Sequence, residues 1–328
     1  MKDLINDFTS HLQEALKIGE FAKFSPSVKT IENIVICGMG GSGIGGTIIE
    51  NVINDSLDIP LIIVKDYSIP NFVSEKTLFI ASSYSGNTEE VISALTHAIE
   101  KKANIGGCIT SGGKLLDIAK KNNFNIILIP GGNPPRAMFG FSFIQLFYIL
   151  LYHNLIDDSF KEKIRTSIIL IKKHQQKIIY DAKEVAVAIA EKNPIIYSAP
   201  TIEGVAIRFR QQLNENSKKL AWHHVIPEMN HNELVGWKKT KKKSIVIFLR
   251  NKTDFDRTQK RIEINKEEIS KYCSQIIEIW SQGDHLIEQS LYLIHLTDWT
   301  SYFIAKEKDI DPIEVNVISS LKDKLGEI

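Results

Sequence analysis

Thr77-Leu78-Phe79-Ile80-Ala81-Ser82-Ser83-Tyr84-Ser85-Gly86-Asn87-Thr88-Glu89-Glu90-Val91-Ile92-Ser93-Ala94-Leu95 holds a strand, a turn and a helix start in one run. Thr77 to Ala81 is continuously apolar after its first residue, as a strand buried on both faces of a parallel sheet must be. From Val91 the apolar residues recur at helical spacing. Hydroxyls and a glycine are crowded between the two. A helix start carries unpaired N–H groups and a partial positive charge. Ser83, Ser85 and Thr88 add O–H donors at the same place, which is the chemistry of a phosphate cradle. The same residues also suit a plain helix cap, a Ser or Thr ahead of Glu89 or Glu90. The stretch by itself supports both.

The strand–turn–helix order recurs on either side. Ile31 to Cys37 reads as a strand, followed by the glycine run Gly38 to Gly46 and a helix from about Thr47. Further strands are expected at Leu61–Val64, near Ile105–Thr110 and at Ile126–Ile129, and Phe139 to His153 reads as a buried helix. This alternation predicts an α/β fold with a doubly wound, mostly parallel sheet flanked by helices. Ahead of it, residues 1 to about 24 read as one amphipathic helix on Leu4, Ile5, Phe8, Leu12, Ala15 and Leu16. A mixed-charge helix is expected from Phe160 to Lys192, after which the pattern restarts. Pro194–Pro200, Ser244–Leu249 and Gln275–Ile279 read as strands, and Ile202–Leu213, Leu286–Ile304 and Val315–Leu325 as helices. Two similar α/β domains are therefore expected, at 1–154 and 193–328, with a helical connection at 155–192 and no residue-for-residue repeat. The run Lys238 to Lys243 is expected to be a solvated loop rather than a nucleic-acid patch.

Composition narrows the function classes. The 328 residues carry 40 basic and 39 acidic side chains, a net charge of +1, so nothing points to non-specific nucleic-acid binding. No apolar run reaches the ~20 residues of a membrane span; the most apolar segment, Phe139 to Leu151, contains Ser142 and Gln145. The early acids and amphipathic spacing of Met1-Lys2-Asp3-Leu4 are unlike a secretory signal. Cys37, Cys108 and Cys273 have no metal-ligand spacing and are expected as buried, reduced thiols of a cytoplasmic protein.

The glycine run has a rival reading. Gly38-x-Gly40-x-x-Gly43 follows a strand and opens a helix, and Asp66 stands just after the next strand. That is the fingerprint of a dinucleotide site, so a nicotinamide-dependent dehydrogenase is one alternative. The fingerprint does not predict the second, hydroxyl-rich loop at Ser82–Glu90. Tight turn geometry alone also accounts for the glycines.

Several stretches together carry a resemblance. Cys37-Gly38-Met39-Gly40-Gly41-Ser42-Gly43 and Ser82 to Glu90 resemble sugar isomerase (SIS) domains. Asn133-Pro134-Pro135-Arg136, Asn214-Glu215-Asn216-Ser217-Lys218 and Pro227-Glu228-Met229-Asn230-His231-Asn232-Glu233 resemble the bifunctional phosphoglucose/phosphomannose isomerases of the phosphoglucose isomerase superfamily. Asp311-Pro312 with Leu321-Lys322 resembles that family's C-terminal end. The resemblance spans nearly the whole chain. It implies two SIS domains, a homodimer with sites at the subunit interface, and no metal or nucleotide. It implies interconversion of glucose 6-phosphate, and of mannose 6-phosphate, with fructose 6-phosphate. Gly41, Ser42, Ser83, Ser85 and Thr88 fall on its phosphate-binding positions. Glu215 falls on the base, His231 on the ring-opening group, Arg136 on an arginine near the reacting carbons and Lys322 on a lysine lining the site. Val315 stands near the place where a small hydroxyl residue is expected.

The chemistry gives these residue types work. Aldose–ketose isomerisation moves a proton between C1 and C2 through a cis-enediol(ate), and one positioned carboxylate serves as base. A histidine, with an unperturbed pKa of ~6.5, can open the sugar ring. An arginine stabilises the enediolate oxygen. Each residue also has a plainer reading. Glu215 could pair with Lys218 or Lys219 on a helix surface, His231 has rivals in His223 and His224, and Arg136 could be a salt-bridged residue after a Pro-Pro turn. A non-catalytic SIS sugar-phosphate sensor is a second alternative. It would keep Ser83, Ser85 and Thr88 and have no use for Glu215, His231 and Arg136. No DNA-binding segment stands before the first domain, which disfavours a regulator.

Overall fold

The structure is a computed structural model that describes residues 1–25, 30–239 and 243–327. In the first half the elements are α1 (Lys2–Asn6), α2 (Phe8–Phe21), β1 (Asn33–Gly38), α3 (Gly40–Ile53), β2 (Leu61–Val64), β3 (Thr77–Ser82), α4 (Glu89–Glu100), β4 (Asn104–Thr110), α5 (Gly113–Lys121), β5 (Ile126–Leu128) and α6 (Phe139–Tyr152). Then come α7 (Ser159–Ile189), β6 (Asn193–Ser198), α8 (Glu203–Ser217), β7 (Trp222–Val225), β8 (Ser244–Arg250), α9 (Asp256–Ile269), β9 (Gln275–Trp280), α10 (Leu286–Glu307) and α11 (Asn316–Gly326). One sheet has the order β2-β1-β3-β4-β5 and the other β7-β6-β8-β9, with neighbouring strands parallel in both. The expected α/β architecture of two doubly wound parallel sheets is what the chain forms.

The apolar alternation along the strands explains how the halves meet. In the first sheet Ile34, Ile36, Leu78 and Ile80 point one way, and Val35, Cys37, Phe79 and Ala81 the other. The second set is covered by α4 and α5 through Val91, Leu95 and Leu115. The first set joins a single apolar cluster that also contains Ile196, Ile245, Ile247 and Leu249 of the second sheet. Between the sheets lie α3, α6, α7, α8 and α10, whose buried residues complete that cluster. The helices are thus a shared layer between the sheets. It is this layer that brings the end of α8, from the second half, beside the loops of the first sheet.

Several local expectations are corrected. The first helix is broken at Asp7 into α1 and α2. The helix expected from Thr47 begins at Gly40 instead. Ile44, Ile48, Ile49 and Ile53 are buried along it, and Gly45 and Gly46 pack against Phe143 and Ile63. Tertiary packing outweighs the poor helix propensity of glycine. Strand β7, Trp222-His223-His224-Val225, was not expected, because a short edge strand with two histidines lacks apolar alternation. Of the lysine run, residues 240–242 lie outside the described residues. Residues 135–152 are long and apolar enough for a membrane span by composition, but 78% of that window is buried inside the protein, as for a core helix.

Cys37 and Cys108 are fully buried, and burial pushes each thiol up to about 12. Both should therefore be inert to Ellman's reagent at about pH 8 in the folded protein and react only on denaturation. Prompt reaction of either in the native protein would contradict this packing.

Candidate active site

In the first sheet the chain runs from β1 outward to β2 and then returns past β1 to β3. The crevice beyond the C-terminal ends of β1 and β3 is therefore the topological switch point, where ligands of open α/β sheets bind. Two loops flank it. After β1, the backbone at Gly41 lies against the next loop. A Cβ there would sit 3.1 Å from the Pro135 carbonyl carbon and 3.2 Å from Arg136. Ser42, buried at the start of α3, accepts the Tyr84 N–H at 3.0 Å. After β3, the Ser83 and Thr88 hydroxyls are 2.8 Å apart, Ser83 Oγ accepts the Gly86 N–H, and Ser85 Oγ accepts the Asn87 N–H. Gly86 has φ +69°, and a Cβ on it would lie 1.7 Å from the Gly112 carbonyl oxygen, so only glycine closes this turn.

The plain-cap reading of this loop fails. Thr88 does occupy the N-cap position of α4, but it makes no side-chain capping bond; its hydroxyl is turned to Ser83. Among the described residues no side chain accepts from the first N–H groups of α4. Hydroxyls and free amides thus converge on the mouth of the crevice.

Arg136 is the centre of a second constellation. Pro134 and Pro135 restrict the backbone ahead of it, and its side chain is 4% exposed. Nε donates to Asn216 Oδ1 at 2.7 Å, and Nη2 donates to the carbonyls of Pro312 and Ile313 at 2.6 and 3.2 Å. Nη1 donates to Glu215 Oε2 at 3.2 Å. Burial lowers the Arg136 pKa from its ordinary value, with Glu215 pulling the other way. Glu215, near the end of α8, is 28% exposed, and its Oε1 has no hydrogen-bond partner among the described residues. Nη1 has two N–H groups and, among the described residues, one partner, which leaves one donor unpaired. A buried arginine and a half-open carboxylate thus share an edge of the site.

A layer of polar groups behind them went unread in the sequence. Arg208 donates to the Arg136 carbonyl oxygen at 2.9 Å and to Asp298 Oδ2 at 2.6 Å. Gln212 donates to the other Asp298 oxygen at 2.9 Å. Asn216 donates to Ser301 Oγ at 2.9 Å. Asp298 and Ser301 sit in the middle of α10, whose apolar run hides them; their spacing of three places both on one helix face. Lys218, in the left-handed conformation that ends α8, donates to the carbonyls of Glu215, Asp311 and Glu314. It ties the C-terminal segment to the carboxylate's own helix and is not a side-chain partner of Glu215.

Two expected residues are not brought into this group. His231 is exposed at the end of a single turn, Glu228–His231, after β7, and no hydrogen bond or ion pair joins it to Arg136 or Glu215 among the described residues. The segment after it is anchored by Glu233, which accepts from the Tyr197 hydroxyl, itself bonded by Trp237 Nε1 at 3.1 Å. Lys322 is exposed on α11, a helix with no buried residue. Val315 and Glu215 together border an apolar cleft of about 350 Å³ that includes none of the loop hydroxyls. Asp66 is exposed after β2 and accepts the Tyr67 N–H. No group of His, Cys, Asp or Glu among the described residues is arranged to hold a metal ion.

Comparison with known proteins adds three findings. Residues 179–325 match the family described as the bacterial phospho-glucose isomerase C-terminal SIS domain. The bifunctional phosphoglucose/phosphomannose isomerase of Caldicellulosiruptor bescii is 36% identical over an alignment of 338 residues, covering 100% of this chain and 99% of that one. That of Thermoplasma volcanium is 35% identical, covering 96% and 99%. Among solved structures, the C-terminal domain of glucosamine-fructose-6-phosphate aminotransferase from Francisella tularensis superposes with a TM-score of 0.76. It covers 95% of this chain and 97% of that one at 14% identity, a likeness of fold.

Proposed function

The chain belongs to the bifunctional phosphoglucose/phosphomannose isomerase family and is a sugar-phosphate isomerase, and from that premise we propose its substrates and mechanism. It interconverts glucose 6-phosphate and mannose 6-phosphate with fructose 6-phosphate through a cis-enediolate. The observation that carries this reading is the contact of Arg136 Nη1 with Glu215 Oε2 at 3.2 Å, beside loops rich in hydroxyls. The phosphate is held by Ser42, Ser83, Ser85 and Thr88, with Gly41 allowing close backbone approach, and the free N–H groups of α4 complete the cradle. Glu215 Oε1 takes the proton from C1 or C2 and returns it to the other carbon. The unpartnered N–H of Arg136 faces the oxygen on which charge develops, an interaction that is worth most in a buried site. Glucose and mannose differ only at C2, so both aldoses share one enediol, and one base gives both activities.

His231 opens the ring. Its exposure in the turn after β7 suits the homodimer with interfacial sites that the resemblance implies, and Lys322 on the exposed α11 suits the same arrangement. The buried Cys37 and Cys108, which form no disulfide, suit a cytoplasmic setting. A sugar-phosphate sensor would have no use for a buried arginine aimed at a half-open carboxylate. The dehydrogenase alternative leaves the hydroxyl loop without a role.

A coupled assay of fructose 6-phosphate conversion to each aldose tests the reading, and it fails if neither aldose forms. Ser83→Ala removes one hydroxyl from the phosphate and one acceptor from Gly86 N–H. A hydrogen bond to a charged group contributes ~1.5–3 kcal/mol, so KM for fructose 6-phosphate should rise about tenfold or more with kcat changed far less. An unchanged KM would contradict the cradle.

A further inference from the structure

Tyr84 stands between two of the proposed phosphate ligands, Ser83 and Ser85, yet its own side chain turns inward and is 8% exposed. Its polar groups reach three different segments. The N–H donates to Ser42 Oγ at 3.0 Å, in the loop after β1. The carbonyl accepts from Ser111 N at 2.9 Å and Ser111 Oγ at 2.6 Å, in the turn after β4. The phenol oxygen accepts the Asn133 N–H at 3.2 Å. Asn133 opens Asn133-Pro134-Pro135-Arg136. Neither proline has an N–H, so the Asn133 donor is the last backbone donor before Arg136 itself. The two prolines also restrict the torsions between Asn133 and Arg136, so a shift at one end reaches the other. The far side of the same segment is backed by Gly41.

Resting on the isomerase reading, we propose that Tyr84 is a positioning residue that couples occupancy of the phosphate cradle to the placement of Arg136. A phosphate that orders Ser83 and Ser85 orders the residue between them. The phenol then fixes Asn133 and, through the paired prolines, the guanidinium that meets the developing charge. Binding energy from the remote end of the sugar is thereby used at C1 and C2, where it raises kcat and not only affinity. A tyrosine that merely filled the core would have no such effect on a substrate lacking the phosphate.

The test separates the phosphate from the sugar. Unphosphorylated fructose is isomerised with and without phosphite dianion, which occupies the cradle without being part of the substrate. In the wild type, phosphite should accelerate the conversion of fructose to glucose and mannose. In Tyr84→Phe that acceleration should fall about tenfold, the scale of one lost neutral hydrogen bond, while phosphite still competes with fructose 6-phosphate within about threefold of its wild-type strength. Ser111→Ala loosens the same loop and keeps the phenol link, so it should retain the acceleration. Thermal melting of both variants sets an assay temperature at which each is folded. The proposal is overturned if Tyr84→Phe keeps full acceleration, if Ser111→Ala loses as much, or if phosphite fails to accelerate a wild type that turns over fructose 6-phosphate. A wild type inactive on fructose 6-phosphate would instead sink the isomerase reading.

Discussion

Glu215→Gln is expected to lower kcat for both isomerisations by about a hundredfold to ten-thousandfold, the contribution of one positioned general base, with sugar-phosphate binding retained. The substitution is nearly isosteric. The amide oxygen can still accept from Arg136 Nη1, which now donates to Oε2 at 3.2 Å. Asn216 and the carbonyls of Pro312 and Ile313 still hold the rest of the guanidinium. What is lost is an oxygen able to take a proton. The phosphate loop lies on other elements and is untouched, so binding of fructose 6-phosphate, measured by calorimetry, should change little. Retained turnover would remove Glu215 from its role. Loss of binding would mean that the residue holds the site together rather than performing its chemistry. Both aldose products should fall together, since one enediol precedes them.

The second large effect is on stability. Asp298 and Arg208 form an ion pair at 2.6 Å inside the helical layer, with side chains 7% and 2% exposed. Burial pushes the Asp298 carboxyl up, while Arg208 and Gln212 draw it down. Asp298→Ala would leave the Arg208 guanidinium buried above the Phe139 ring, 4.6 Å from its centroid, with its charge uncompensated. Removing one partner of a buried pair costs about 3–5 kcal/mol. Urea unfolding should show a loss of that size, and Asp298→Asn, which still accepts from Arg208, a smaller one. Because Arg208 also donates to the Arg136 carbonyl, kcat should fall in whatever fraction stays folded. A change below about 1 kcal/mol would mean that the pair is held by solvent instead.

How much of this was legible in the sequence depends on where the information lay. The strands at the centre of each sheet were readable because their apolar runs are continuous, as at Leu78–Ala81 and Ser244–Leu249. The hydroxyls of the loop after β3 were readable because they are adjacent in the chain. The start of α3 was misread because glycines that look like a turn are held helical by packing on Phe143, Ile36 and Ile63. Edge strand β7 was missed because it has little apolar alternation to show. Glu215 and Arg136 were singled out by resemblance, and their contact across 79 positions follows from the helical layer, which no local pattern encodes. Asp298 and Ser301 were invisible inside the apolar α10, since a polar residue in a buried helix acquires meaning only from its partner. Asn216 stands within the Asn214–Lys218 motif, but its function as the acceptor of Arg136 Nε appears only once the fold closes.

The central claim is that a proton of the substrate leaves carbon, rests on Glu215 and returns. Nuclear magnetic resonance of fructose 6-phosphate incubated with the enzyme in deuterium oxide tests it most directly. While the proton rests on Glu215 in the enediolate complex it exchanges with solvent in a fraction of turnovers, so deuterium should accumulate at C2 of glucose 6-phosphate and mannose 6-phosphate and at C1 of the remaining ketose. In Glu215→Gln it should accumulate in none of them. Formation of both aldoses by the wild type with no deuterium at either carbon, however long the incubation, would contradict the account.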